Sequence, residues 1–131
     1  NMQKKKTSGY VDGFVLVVPK KKRAEYRKMA LIGKKIWLKH GALDYKECVG
    51  DDMEPTMQGM PMRTFPKLAG AKKGEDVWFS FIVFKSKKHR DAVNKKVMAE
   101  MDKEMAKYMD KPMPFDMKRM SYGGFNVEVS A

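Results

Sequence analysis

Apolar residues recur along the chain with two different periods, and these periods predict four strands and two long helices. Residues 10–18 are mostly β-branched or aromatic and stop at Pro19, as expected of a strand. Residues 42–49, 75–85 and 119–129 have a similar character and predict the second, third and fourth strands.

The two helices are predicted from apolar side chains that are spaced three and four residues apart. Residues 20–40 carry one such stripe and end at Gly41, a residue type that favours helix termination. Residues 87–111 contain neither Gly nor Pro, follow the good N-cap residue Ser86, and are ended by Pro112. The first stripe comprises Tyr26, Met29, Ala30, Gly33, Trp37 and His40; the second comprises His89, Val93, Val97, Met101, Met105 and Tyr108.

The order of these elements, β-α-β-loop-β-α-β, is that of the split βαβ or ferredoxin-like arrangement, an α+β fold. We therefore expect one antiparallel sheet with two helices on one face, in a single domain over residues 10–131. Residues 1–9 are predicted to be a polar tail. Residues 50–74 contain three prolines and are predicted to be an irregular loop with a short strand near residues 62–65.

The strands are apolar on both faces, which predicts a homodimer. An antiparallel sheet with one face in water alternates apolar and polar residues, and these strands do not. The helices can cover one face only, and a second copy of the same sheet is the economical cover for the other. The two faces are Phe14, Leu16, Val18, Trp78, Ile82 and Phe84 on one side, and Val11, Val15, Val17, Val77, Phe79, Phe81 and Val83 on the other.

The composition adds two observations, an excess of basic residues and a single cysteine. The 131 residues carry a formal net charge of +12, most of it in the first 40 residues, and Lys greatly outnumbers Arg. Because nucleic-acid interfaces rely on Arg, this composition favours a solvated lysine-rich surface over nucleic-acid binding. One cysteine excludes an intrachain disulfide, no apolar run is long enough to span a membrane, and we predict no signal peptide. We therefore expect a cytoplasmic protein.

Several long motifs closely resemble those of the YbaA-like bacterial family (domain of unknown function 1428), in the same order along residues 10–129. They are residues 113–125 (MPFDMKRMSYGGF), residues 10–15 (YVDGFV) with Val18-Pro19, residues 40–43 (HGAL) with Glu47-Cys48, and residues 79–82 (FSFI) through Ser86 to Arg90-Asp91. The resemblance implies a dimeric α/β barrel, in which two ferredoxin-like sheets close face to face. It implies no settled activity.

Asp12 is the first candidate for chemistry, because it lies in an apolar strand in phase with Phe14 and Leu16. A buried carboxylate is costly unless it is paired. The first and fourth strands are neighbours in this topology, so Arg119 or Lys118 is a plausible partner, and Arg119 is predicted to meet Asp12 directly or through water. Tyr122, two residues beyond Arg119, would then point to the same face. The alternatives for Asp12 are a strand-end acid in water and a proton acceptor whose proton affinity is tuned by burial.

The remaining candidates divide into a ligand pocket and residues assigned to structure. Gly123 and Gly124 could leave room for a ligand, or could mark a bulge or a close backbone approach. His40 is predicted to cap helix carbonyls, with a catalytic role as the alternative, and Cys48 is predicted to be a small buried hydrophobe. The expected pocket lining is Tyr10, Trp78, Gly123, Gly124 and Phe125, beside the catalytic candidates Asp12, His40, Arg119 and Tyr122.

No metal site or cofactor is predicted. Two distant histidines without a further ligand pattern are a weak zinc signal. The methionines of residues 53–62 are better candidates for copper(I) than those after residue 97, but hydrophobic packing is the favoured interpretation of both groups. Three functions remain open: a dimer that binds or transforms a small molecule, a non-catalytic structural or ligand-binding dimer, and a basic nucleic-acid-binding domain.

Overall fold

A computed structural model describes residues 9–107 and 112–131. It contains one sheet, two long helices and one short helix. In chain order the elements are β1 (Tyr10–Pro19), α1 (Arg23–Lys39), β2 (Asp44–Val49), α2 (Phe65–Ala69), β3 (Glu75–Phe84), α3 (Lys87–Ala106) and β4 (Ser121–Asn126). The predicted α+β class is confirmed.

The four strands form an antiparallel sheet in the order β2-β3-β1-β4, as the split βαβ arrangement requires. β1 lies at the centre and pairs with β3 on one side and β4 on the other. In this register Asp12 lies opposite Ile82 of β3 and Gly124 of β4. Asp12 therefore occupies an inner position, with a neighbouring strand on each side.

Both long helices pack on one face of the sheet and bury its side chains in two adjoining clusters. One cluster joins the start of β1 and the end of β3 to α1 and α3. The other joins Leu16 and Trp78 to Tyr26 of α1. The first contains Tyr10, Ile36, Ala42, Ile82, Phe84, Val93 and Val97; the second contains Leu16, Val18, Tyr26 and Trp78. The stripes predicted from Tyr26 and Gly33 in α1, and from Val93 and Val97 in α3, are thus core positions.

The other face, which we call the open face, keeps its apolar side chains half-buried or exposed. Val17 and Val77 at one end of it are buried, and α2 packs against β1 and β3. The two-sided apolar character predicted from the strand sequences is therefore present. The accessible apolar residues on this face are Val11, Val15, Phe79, Phe81, Val83 and Phe125.

The short strand predicted near residues 62–65 is wrong, because a helix begins there instead. The Thr64 hydroxyl accepts a hydrogen bond from the Lys67 amide at 3.3 Å, which caps the start of α2. Pro66 suits the first turn of a helix, and Gly70 ends it with a left-handed φ of 68°. These caps at both ends therefore favour a short helix over the predicted strand.

The fourth strand begins two residues later than predicted, at Ser121. The carboxylate of Asp116 accepts a hydrogen bond from the Lys118 amide at 3.0 Å and closes a 3₁₀ turn over Met117–Arg119. Arg119 therefore belongs to a turn before the sheet, and the alternation of β4 does not fix its direction.

Some predictions fall on residues outside the described ranges. The polar tail is among them except for Gly9, whose carbonyl accepts a hydrogen bond from the Val127 amide at 3.0 Å. The end of the second predicted helix, including Tyr108, is also outside them. Within residues 9–107 and 112–131, no helix is both long enough and apolar enough to cross a bilayer.

A half-buried carboxylate, Glu47, ties α1 to the sheet. It accepts hydrogen bonds from the hydroxyls of Tyr26 and Tyr45 at 2.7 Å each, and from Ser80 at 2.5 Å. Burial, and then the charge of Glu47, raises the pKa of both tyrosines, so the two phenols stay protonated and act as donors. Gly33 of α1 leaves room for the Tyr45 hydroxyl, since a Cβ there would lie 2.9 Å from it.

We predict that Gly33→Ala destabilises the protein by about 1 kcal/mol or more, as overpacking does. The same change in an unobstructed helix interior would stabilise it by about 1 kcal/mol. In Tyr45→Phe the obstructing oxygen is absent, so Gly33→Ala should become neutral or stabilising. Urea unfolding of the two single variants and the double variant measures this coupling, and a stabilised Gly33→Ala single variant would contradict it.

Candidate functional site

Asp12 is the most buried charged residue among the described residues, with 1% of its surface exposed. It lies on the face of β1 that the helices cover, as its phase with Phe14 and Leu16 predicted. Helix α3 passes over it and supplies its partners. A carboxylate at this depth is stable only if both oxygens are paired.

Arg90, in the first turn of α3, is the ion-pair partner of Asp12. Its Nη1 donates to Asp12 Oδ1 at 2.8 Å and to the Tyr122 hydroxyl at 2.6 Å. Its Nη2 lies 3.5 Å from the Tyr10 hydroxyl, and the guanidinium carbon lies 5.0 Å from the centre of the Tyr10 ring. One guanidinium thus binds a buried carboxylate and two phenols.

Asn94, one turn further along α3, satisfies the second oxygen of Asp12. Its amide nitrogen donates to Asp12 Oδ2 at 3.2 Å. Its amide oxygen in turn accepts from Trp37 Nε1 of α1 at 2.9 Å. Because the indole can only donate, this contact fixes which way the amide points. A chain of hydrogen bonds therefore runs from α1 through α3 to β1.

Tyr122 forms the solvent-facing rim of this cluster, with 52% of its surface exposed. Its ring stacks on Phe14, with centroids 4.9 Å apart and planes at 27°. Burial, and then the charge of Asp12, raises the pKa of Tyr122, although Arg90 opposes both. The phenol therefore keeps its proton at neutral pH, and its oxygen accepts from Arg90 while its hydrogen can be donated.

Arg90 keeps its charge in this environment. Burial is the largest single effect and by itself would lower the pKa of Arg90, but the charge of Asp12 and the smaller effects of Tyr122, Tyr10 and Asp91 together outweigh it, so the pKa is raised. The cluster Asp12–Arg90–Asn94–Tyr122 is thus an interior ion pair with a neutral phenol at its edge. It can donate hydrogen bonds to an oxygen-bearing group that approaches the rim.

The predicted pairing of Asp12 with Arg119 is wrong. Arg119 binds Glu75 at the start of β3 through two hydrogen bonds of 2.7 and 2.8 Å, and it also donates to the Gly70 carbonyl at 2.7 Å. The 3₁₀ turn that precedes β4 directs it to this end of the sheet. Arg119 therefore holds the 117–119 turn against β3 and is remote from Asp12 and Tyr122.

The structure separates the predicted pocket residues instead of bringing all of them together. Tyr122 and Gly124 lie on the helix-covered face with Tyr10, whereas Gly123 and Phe125 lie on the open face, because side chains alternate along β4. The space beside Gly124 is filled by the Tyr10 ring, since a Cβ there would lie 2.8 Å from Tyr10 Cε2. Gly124 therefore allows the β4 backbone to approach Tyr10 closely, as one of the two alternatives predicted, and leaves no room there for a ligand.

Trp78 and His40 lie away from Asp12. Trp78 is buried beside Tyr26, with ring centroids 4.7 Å apart, in the second core cluster. His40 follows α1, and its Nε2 lies 2.7 Å from Glu100 of α3. Hydrogen bonds from His40 and then Lys39 lower the pKa of Glu100. His40 is also the C-cap residue of α1, and its backbone amide donates to the Ile36 carbonyl at 3.1 Å, as the predicted cap requires. Its side chain joins the two helices at the edge of a shallow groove of about 480 Å³.

Within the described residues, no three His, Cys, Asp or Glu side chains are placed to hold a metal ion. The predicted burial of Cys48 is wrong, because its strand position on β2 turns it to the open face, where it is exposed. The predicted packing of the methionines holds for Met101, which contacts the first core cluster. It is wrong for Met57, Met60 and Met62, which are exposed.

Arg90 and Asn94 are the site residues that the sequence prediction missed. They are four residues apart and border the apolar stripe through Val93 and Val97, so they lie on the side of α3 that meets the sheet. The sequence signal for them was a polar pair at helical spacing beside a core stripe. That Asp12 is the residue they bind could be stated only once the position of α3 over β1 was known.

Comparison with known proteins places the chain among bacterial relatives. The profile of the family described as "Protein of unknown function (DUF1428)" matches residues 9–117. The chain is similar to the "Uncharacterized protein YbaA" of Escherichia coli K12, with 40% identity over 116 residues, or 88% of this chain and 93% of that protein. The proteins of the same name in Escherichia coli O157:H7 and Shigella flexneri show the same identity and coverage.

We predict that Asp12→Ala destabilises the protein by about 3–5 kcal/mol, because the largely buried guanidinium of Arg90 loses its buried counter-charge and keeps only the exposed carboxylate of Asp91, 2.9 Å from its Nε. The double variant with Arg90→Met should recover part of this loss, since it removes the cation that has lost its buried partner. Free energies of unfolding in urea measure both effects.

The matched control for Asp12→Ala is Glu104→Ala, which breaks the surface ion pair with Lys107. It should cost no more than about 1 kcal/mol, as surface pairs do. Equal losses in the two alanine variants, or a double variant no more stable than Asp12→Ala, would contradict the pairing.

We also predict an acid-labile contribution from the contact between Glu75 and Arg119. The hydrogen bonds from Arg119 lower the pKa of Glu75 from 4.5 to about 2. A lowered folded-state pKa gives stability that is fully present above the unfolded-state pKa and lost as the pH falls toward the folded-state value. The stability difference between wild type and Glu75→Gln should therefore be largest at neutral pH and shrink between pH 4.5 and 2.

Urea unfolding of both proteins across this pH range tests the contact. Glu104→Gln is the matched control, since Glu104 forms a surface pair with Lys107. Its difference from wild type should stay small at every pH. A Glu75→Gln difference that does not change with pH would exclude the proposed lability.

Proposed function

Since the chain belongs to the DUF1428 family, whose function is unknown, we propose its role from its own site: a homodimer that binds a small oxygen-bearing molecule at the rim of the Asp12–Arg90–Tyr122 cluster. The observation that carries the proposal is the guanidinium of Arg90, shared between a buried carboxylate and a half-exposed phenol. The pair orients α3 and also leaves a charged donor beside an accessible ring, an arrangement suited to recognising a ligand.

The ligand class follows from the chemistry of the rim. Tyr122 offers one ring face to solvent and a hydroxyl hydrogen, and Arg90 supplies positive charge directly behind it. These groups complement a planar molecule that carries a carbonyl or carboxylate oxygen. Asp12 fixes Arg90, and Asn94 fixes Asp12, so the donors are held in place before the ligand arrives.

The same geometry could also support catalysis, but the raised pKa of Tyr122 limits the role that this residue can take in it. A phenol that holds its proton at neutral pH serves as a hydrogen-bond donor or general acid and not as a base. The proposal is therefore a binding function, with Tyr122 as the residue that contacts the ligand and Arg90 as the residue that orients and polarises it.

The test of binding uses benzoate and acetophenone as first probes, with saturation-transfer NMR as the readout. Tyr122→Phe removes one donor, worth about 1 kcal/mol, and should weaken binding roughly fivefold. Tyr45→Phe is the matched control: it also removes a phenol bonded to a carboxylate, but at Glu47, and should leave binding unchanged. Equal binding by wild type and Tyr122→Phe, or no binding of either probe by wild type, would refute the proposal.

The homodimer is supported by the open face. Its central strands present valines and phenylalanines to solvent, and β2 at its edge carries Asp44 and Lys46, a pair of opposite charges that a second copy can match by two-fold symmetry. An exposed apolar sheet face is costly in water, and an identical face removes that cost on both copies.

We predict sedimentation at twice the chain mass at micromolar concentration. Phe79→Lys places a charge on the open face and should give a monomer. Leu31→Lys, a similarly exposed residue on α1, should remain dimeric. A wild-type monomer would contradict the prediction, and so would binding of random oligonucleotides with a steep salt dependence, which would assign this face to nucleic acid instead.

A further inference from the structure

The loop between β2 and α2 contains a two-residue hairpin turn flanked by methionines. The amide of Met57 donates to the Met60 carbonyl at 3.2 Å, and the amide of Met60 donates to the Met57 carbonyl at 2.9 Å. Gln58 and Gly59 between them both have positive φ values, of 50° and 80°. Residues that exchange both hydrogen bonds lie directly opposite each other, with Cα atoms about 5.5 Å apart and side chains on the same side.

Packing does not account for the side chains of this hairpin. Met57, Met60 and Met62 are 66%, 62% and 50% exposed. Met62 follows Met60 by two residues, immediately after the hairpin. Three long apolar side chains within six residues are therefore exposed to water.

The charge around these methionines differs from that of the rest of the molecule. In a chain with a net charge of +12, residues 51–62 contain no Lys or Arg. They contain three acidic residues, Asp51, Asp52 and Glu54, of which all are exposed. Residues 51–62 are thus an acidic stretch on a basic protein, ended by the exposed Arg63 directly after Met62, and their carboxylates attract cations.

We propose that Met57, Met60 and Met62 bind a soft monovalent cation, Cu(I), through their thioether sulfurs. Thioethers are soft, neutral ligands that select Cu(I) over the harder divalent ions, and the nearby carboxylates add long-range attraction. The hairpin turn holds two of the sulfurs on one side before the ion arrives. Since thioethers need not lose a proton, this binding should not change between pH 5 and pH 8, where His or Cys ligands titrate.

The experiment measures binding of Ag(I), a redox-stable probe, by calorimetry in chloride-free buffer. Cu(I) is then measured without oxygen by competition with a colorimetric chelator. All proteins carry Cys48→Ser, because an exposed thiol is itself a ligand for soft metals. We expect one ion per chain, a loss of about tenfold or more in affinity for Met57→Leu or Met60→Leu, and no binding by the triple Met→Leu variant.

The matched control is the double variant Met98→Leu and Met117→Leu, which changes exposed methionines elsewhere in the chain. It should bind as tightly as the Cys48→Ser parent. NMR of ¹³C-methyl methionine should show Ag(I)-dependent shifts at Met57, Met60 and Met62. Unchanged binding by the triple variant, an equal loss in the control, or equally tight binding of Zn(II) would overturn the proposal.

Discussion

The buried ion pair between Asp12 and Arg90 is the interaction on which the arrangement of this molecule depends. A carboxylate on the central strand cannot remain charged beneath a helix unless that helix supplies a cation and a second donor. Arg90 and Asn94 meet this condition only when α3 lies over β1 with one rotation about its own axis and one position along that axis. The pair thus orients the helix against the sheet, and through Trp37 it also aligns the other long helix.

Glu47, on the edge strand β2 and on the same helix-covered face, places a second carboxylate under the same constraint and meets it differently. Its partners are three neutral hydroxyls from α1, β2 and β3. A carboxylate held by hydroxyls alone leaves no guanidinium and no accessible ring, and we assign it to structure. The contrast explains why the Asp12 cluster, with its charged donor and its phenol at the surface, is the better candidate for recognition.

Sequence patterns predicted the strands, the topology and the burial of Asp12, because these depend on periods of two and 3.6 residues that a chain carries locally. The ion-pair partner was mispredicted because Arg119 was extrapolated along a strand that begins only at Ser121. The Asp116 cap turns the backbone just before it. Arg90 could not be chosen from sequence, since a distance across the interior depends on how far α3 reaches over β1. Likewise, nothing in the residue types shows that Gly124 accommodates the ring of Tyr10.

The strand order has a consequence for how the chain acquires its structure during synthesis. β1 and β2 are made first, yet neither pairs with the other, since both are joined through β3. A nascent chain that has left the ribosome as far as Gly74 therefore contains two strands and two helices, α1 and α2, with no ladder to connect the strands. Its hydrophobic side chains must stay unpaired until residues 75–84 emerge, and β3 is the segment that converts the growing polypeptide from a collapsed coil into a sheet.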